Sequence, residues 1–522
     1  MNRPLLLALA MLFLLPGGNP KTGKDALVGY NSITASDLRA HLTFLASDEL
    51  EGRETTFRGQ KIAAQYIASV FQRLGLKPVG DSGTFFQHFG VEVSKPNDQS
   101  TLTITTQRGP ATYRFGRDFF ATAARDTVLS GSVVFVGSLN ADTSLSSKAS
   151  GKIAVAFSPP RNPNDSTQRR QRFGPQPLAN TLAILLVNDE GAAGTIGQQT
   201  TRLLAALDKG PMRLAGGAAR TGRQQFTRVP MAMVSTQFAN ELLKSSKQTV
   251  DTIRRQLAAG TWKTALAIDS LTDTLEIKVR RELRQSENVT GYLEGSDPVL
   301  KNELVVFSAH YDHLGIGADG AIYHGADDDG SGTSTVLELA EAYATNPKKA
   351  KRSMLFITVA GEEKGLLGSE YYVTHPIFPL DKTVADLNID MIGRVDKKHE
   401  DMKEENYTYV IGSDKISTQM DAMLNAANKE SENLSLDYQY NDDNDPNRFY
   451  QRSDHFNFAK NGVPITFFFT GVHADYHRPT DTVDKILFER MAKVGRLVFT
   501  LGWKTANMAK PFVKDGKPSV YQ

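Results

Sequence analysis

The chain contains no cysteine. Disulfides, thiolate zinc ligands, a cysteine nucleophile and a lipid-modified amino-terminal cysteine are therefore excluded. Charge bias is lacking as well: a formal net charge of +2 over 522 residues gives no electrostatic reason to expect nucleic acid as a partner. The basic run NPKKAKR at 346–352 stands between a helical and a strand pattern and reads as a solvated loop. Long apolar runs are missing except at the start. Within residues 1–20, Arg3 is followed by LLLALAMLFLL and then PGGNP, the order of a secretory signal. Its apolar core is too short for a stable membrane span, so export is expected, to a bacterial periplasm or exterior where a disulfide-free chain fits. What is present is ordinary globular composition, 40% hydrophobic and 23% charged. At this length, two domains or one domain with a large insertion are expected.

Chemistry-bearing residues gather between Val305 and Asp390. The run VVFSAHYDHLG delivers His310 and Asp312. HGADDDGSG supplies Asp327, Asp328 and Asp329 before a glycine turn and a helix. MLFITVAGEEKGLLG ends its apolar part at Glu362 and Glu363, VADLNIDMIG carries Asp390, and far downstream DYHRPTDT adds His477. Zinc accepts imidazole nitrogen and carboxylate oxygen, and a catalytic zinc keeps a position open for water. If the three apolar runs are parallel strands, these side chains fall beyond their carboxyl ends, where such folds bind ligands. Two histidines with several carboxylates suit two cations better than one. Asp312 is placed to accept the second ring N–H of His310. Glu362, adjacent to a ligand but pointing elsewhere, is the candidate general base for a water that two zinc ions acidify.

On these motifs the chain resembles the zinc exopeptidases of metallopeptidase family 28, the group of bacterial leucyl aminopeptidases and glutamate carboxypeptidase, over roughly residues 30–95 and 280–510. The resemblance implies two zinc ions per chain, one held by His310 and Asp390, the other by His477 and Glu363, with Asp328 bridging. It implies a cis peptide bond between Asp328 and Asp329, with Asp329 outside the ligand set. It places Tyr450, three residues before the SDH triplet, as an oxyanion donor. His324, His455 and His473 receive structural or surface roles.

The implied fold class is α/β, a mixed and mainly parallel central sheet flanked by helices, with an inserted β-rich domain. After the leader at 1–20, residues 24–98 form the first part of the peptidase domain and 276–510 the second. Two amphipathic helices are expected near the start, the first capped by Ser36 or Asp37, joined through DELEGRET. That turn either borders the site or is a solvated connection. From 99 to 275 short β-rich pieces alternate with polar, Gly/Pro-rich stretches, an order that resembles the protease-associated domain some members insert here. The polar stretch 162–176 reads as a loop, and the tail after Met508 is expected to fray.

The function implied is a secreted aminopeptidase acting on peptide substrates. Alternatives are a carboxypeptidase or dipeptidase of the same fold, for which Arg394, Arg452 and Arg478 are candidate carboxylate binders, a one-zinc glutaminyl cyclase, and a receptor-like scaffold without catalysis. Oligomeric state is not encoded in any motif.

Overall fold

The computed structural model describes residues 27–516 except 107–108, 123–125, 140–146, 158–177, 179, 189–193, 201–210, 217–228 and 263–264. The leader at 1–20 and the whole of the polar loop at 162–176 lie outside the described residues. Strand β1 (Phe86–Pro96) runs antiparallel to β2 (Val279–Leu293), from the pair Phe86↔Val289 to Pro96↔Val279. The three apolar runs become β3 (Leu304–His310), β4 (Ser353–Val359) and β5 (Thr383–Ile389), every residue of them buried. β3 lies parallel to both β4 and β5. β6 (Tyr407–Ile411) pairs antiparallel with β7 (Ile465–Phe469), which is parallel to β5. Across the sheet the order is Ser435–Asp437, β6, β7, β5, β3, β4, β2, β1 and Met212–Leu214, with Lys77–Pro78 attached to β2.

The largely apolar composition of β3 to β5 follows from burial on both faces, while the buried Ser308 of β3 donates to Asp386 and Asn388 of β5. Val305 and Phe307 join one cluster with Leu42, Val336 and Leu497, while Leu304 and Val306 join another with Tyr409 and Phe467. The first cluster is covered by α1 (Ala35–Leu45), α2 (Arg58–Arg73), α3 (Gly332–Thr345) and α4 (Phe488–Asn507). The cap of α1 is Thr34, two residues before Ser36 and three before Asp37, because Thr34 is extended and its hydroxyl accepts from Asp37 N at 3.2 Å. The tail does not fray at Met508. Phe512 is buried and Gly516 N donates to Ile416 O at 3.0 Å. Among the described residues no helix is long and apolar enough to cross a membrane.

Residues 101–277 contribute a second, eight-stranded sheet with its own buried clusters. Its strand Leu266–Ile277 turns Asp273, Leu275 and Ile277 inward, the period of two that a half-buried strand shows. An acid at a core-facing position is out of pattern. Neither carboxylate oxygen of Asp273 has a hydrogen-bond partner among the described residues, and burial pushes the group up to about 7. The folded protein then holds a proton that the unfolded chain releases near pH 4, so stability falls as pH rises between those values and levels off above them. Each unit costs about 1.4 kcal/mol. Asp273→Asn is therefore expected to raise the thermal midpoint at pH 8 by several degrees and to leave it almost unchanged at pH 4, read by scanning calorimetry at both pH values.

Candidate metal centre

The parallel register brings the carboxyl ends of β3, β4 and β5 level: His310 pairs with Val359, and Ser308 with Asn388. His310 closes β3, Glu362 and Glu363 follow β4 after a glycine, and Asp390 follows β5. Between β3 and α3, residues 326–331 form a tight buried turn containing Asp328 and Asp329. The peptide bond between these two is cis. A loop after β7 returns His477 to the same place.

Five residues expected as ligands converge. His310 Nε2 lies 3.3 Å from Asp328 Oδ1 and 3.7 Å from Asp390 Oδ2. His477 Nε2 lies 3.1 Å from Asp328 Oδ2 and 3.3 Å from Glu363 Oε2. Asp328 thus faces both groups, one oxygen to each. Zinc ligands at about 2.0–2.2 Å from the ion stand about 3–3.6 Å from one another at ordinary angles, so the spacing suits two cations sharing Asp328.

An independent sign is what these atoms fail to do. Almost all buried polar atoms in proteins have a hydrogen-bond partner. Among the described residues His310 Nε2, Asp328 Oδ2, Glu363 Oε1 and Asp390 Oδ1 are buried without one. The electrostatics agree. Burial lowers the His477 imidazole, yet Asp328 and Glu363 together lift it to about 10. Carboxylates outnumber the imidazoles, and the cluster demands positive charge.

The supporting shell differs in part from the expectation. His310 Nδ1 is 3.1 Å from the backbone oxygen of Asp312 and 3.8 Å from its carboxylate. The carbonyl, not the side chain, therefore orients the ring. The Asp312 carboxylate instead accepts from Thr55 Oγ1 at 2.6 Å and from Glu362 N at 3.2 Å, so it anchors the residue expected to be the base. Asp329 accepts from the backbone N–H groups of His310, Gly332 and Met391, lacing β3, α3 and the end of β5 together. Ser453 donates to Asp390 Oδ2 at 2.7 Å. The DELEGRET turn borders the site. Arg53, 1% exposed, donates to the carbonyl oxygens of Leu45, Tyr311, His324 and Gly325.

Glu362 Oε2 is 3.9 Å from His310 Nε2, and Glu362 lines a cleft together with Asp328 and Asp390. Burial pushes its carboxyl well above the usual range; His310 opposes this and the charges of Glu363 and Asp390 add to it. The rest of the wall is mostly apolar: Met391, Phe449, Phe467, Phe469, Val472 and Tyr476, with Arg452. Tyr450 is not part of it. Its buried hydroxyl has no partner, and the residue lines a separate small cavity with Asp442, Asp443 and Asp445. The phenol in the metal cleft is Tyr476, stacked on His477 at 3.9 Å between centroids and receiving a hydrogen bond from Arg452 Nη2 at 3.1 Å. The signal was adjacency to His477 in DYHRP. His324 pairs with Asp48, His455 with the Tyr450 carbonyl, and His473 with Asp327. His313, which spacing did not single out, does enter the cluster.

Residues 288–502 match Peptidase family M28. Aminopeptidase YwaD of Bacillus subtilis is 29% identical over 254 residues, covering 47% of this chain and 49% of that protein. A probable leucine aminopeptidase 2 of Aspergillus oryzae is 32% identical over 205 residues, 39% of this chain and 37% of its own. The matched regions thus span about half or less of those relatives' length. The solved aminopeptidase from Aneurinibacillus sp. strain AM-1 superposes with a TM-score of 0.53 at 20% identity, over 95% of this chain and 99% of that one, a likeness of fold.

Proposed function

We propose that the protein is an exported dizinc aminopeptidase hydrolysing the amino-terminal bond of peptides, a reading supported by the match of residues 288–502 to Peptidase family M28. The observation that carries this is the set of partnerless, buried ligand-type atoms opening onto a cleft that also holds an uncommitted glutamate. His310 and Asp390 would hold one zinc, His477 and Glu363 the other, and Asp328 both. Bound there, the ions would acidify a water and polarise the scissile carbonyl. Glu362, tethered through its backbone to Asp312, takes the proton from that water and passes it to the leaving amine. Tyr476, braced by Arg452, takes over the oxyanion role expected of Tyr450, since its ring stands in the cleft. The apolar wall receives the first side chain of the substrate. Residues 99–275 are read as the protease-associated insertion, and the leader at 1–20 supports a periplasmic or extracellular place of action.

Release of p-nitroaniline from leucyl-p-nitroanilide is the expected activity, abolished by a chelator and restored by zinc, with metal analysis giving two zinc per chain. An aspartyl substrate should be at least about tenfold poorer in kcat/KM, an apolar pocket being worth 1–3 kcal/mol in such discrimination. One observation favours a second reading: Arg452 in the cleft is a fitting partner for a substrate carboxylate. If dipeptides blocked at the amino end are cleaved and those blocked at the carboxyl end are not, the protein is a carboxypeptidase.

A further inference from the structure

The motif HYDHLG contains a second histidine. His313 is completely buried, and among the described residues neither ring nitrogen has a hydrogen-bond partner. Its Nδ1 is 2.9 Å from Glu363 Oε1 and 3.8 Å from Asp328 Oδ2. At 2.9 Å an N–H···O bond would be the ordinary outcome, yet none is formed. His313, Asp328 and Glu363 present ligand atoms all within 4.8 Å of one another.

The ring is held there. His313 N donates to Arg53 O at 3.2 Å, and the ring packs against Gly325, where a Cβ would come within 2.5 Å of its Cγ. Its centroid is 5.9 Å from that of His477. An imidazole centroid sits about 3.2 Å from a zinc bound through its nitrogen, so two rings sharing one ion are at most about 6.4 Å apart. His313 and His477 meet that limit.

We propose that His313 is a direct ligand of the cation held by Glu363 and His477, giving that position two imidazoles and two carboxylates while the position of His310 and Asp390 keeps one imidazole. The inference rests on the metal centre proposed above and adds an unequal pair of sites to it. The more imidazole-rich position, whose ligands are all in place before the ion arrives, is the tighter of the two.

The test is zinc and cobalt binding by the full chain, wild type against His313→Ala and His313→Asp, by equilibrium dialysis and by the visible spectrum of the cobalt form. Expected are two equivalents in the wild type with the first distinctly tighter, a loss of at least about tenfold in affinity for that equivalent with a changed cobalt spectrum in His313→Ala, and partial recovery in His313→Asp, whose carboxylate can still coordinate. Should the alanine variant fold poorly, a zinc-soaked crystal of the wild type decides, with His313 Nδ1 expected about 2.0–2.1 Å from the ion. Two equivalents with unchanged affinities and spectrum in His313→Ala, or a zinc site with His313 turned away, overturn the inference and leave the dizinc reading standing. A wild type that binds no divalent ion overturns both.

Discussion

Glu362→Gln is expected to retain the wild-type metal content and lose turnover by a factor of about 10²–10⁴, the contribution of a positioned general acid–base group. The replacement keeps the shape of the side chain. It also keeps the bond from residue 362 N to Asp312 Oδ1, 3.2 Å in the wild type, because that bond belongs to the backbone. What disappears is the ability to take a proton. The Glu362 carboxylate accepts none of the hydrogen bonds described and stands 3.9 Å from His310 Nε2, whereas Asp390 receives Ser453 and Asp328 lies 3.3 Å from His310 and 3.1 Å from His477. The loss should fall on kcat with KM little moved, since the group acts on the reacting water and not on the substrate side chain. Zinc analysis beside steady-state kinetics makes the result interpretable: unaltered kcat in a metal-replete variant removes Glu362 from the mechanism.

Arg53→Met should have the largest effect on stability. The guanidinium is buried and holds four backbone carbonyls, one at the end of α1 and three around the ligand-bearing turns. Burial lowers its pKa, and the charges of Asp312, Asp329, Asp328 and Asp481 oppose that. Methionine fills the volume but leaves the carbonyls without donors and the carboxylates without their internal cation. Breaking a buried charged pair costs about 3–5 kcal/mol, which amounts to a drop of roughly 6–20 °C in thermal midpoint. Lysine should rescue only part, because one ammonium cannot reproduce the planar fork. A midpoint within about two degrees of wild type would show that water replaces the guanidinium without difficulty.

The expected ligands His310, Asp328, Glu363, Asp390 and His477 were legible because each follows an apolar run or turn whose period and composition are local properties. The central sheet was legible for the same reason: β3, β4 and β5 are largely apolar, and motif positions at their ends imply a common direction. The parts that depend on distant chain were not. Which atom of residue 312 meets His310 is decided by the path of the backbone after β3, and the carboxylate is taken by Thr55, more than two hundred residues earlier. Tyr450 and Tyr476 are both tyrosines near a histidine motif in the string of letters, and only the loop packing puts one in the cleft and the other beside Asp443. Arg53 looked like a turn residue because charge in a glycine-containing turn normally meets water. His313 carries no signal of its own in the sequence, since only the fold brings it against Glu363 and Asp328.

The pairing of Pro96 with Val279 returns the chain to where it left, so a short linker could in principle join β1 to β2. Yet Met212–Leu214 comes from the intervening region and pairs with Val91–Val93. A shortened chain would bare the outer rim of β1, and a naked rim is a template for intermolecular strand addition. The intervening region thus covers the stretch of β1 from Val91 to Val93 that its removal would leave unpaired on that rim.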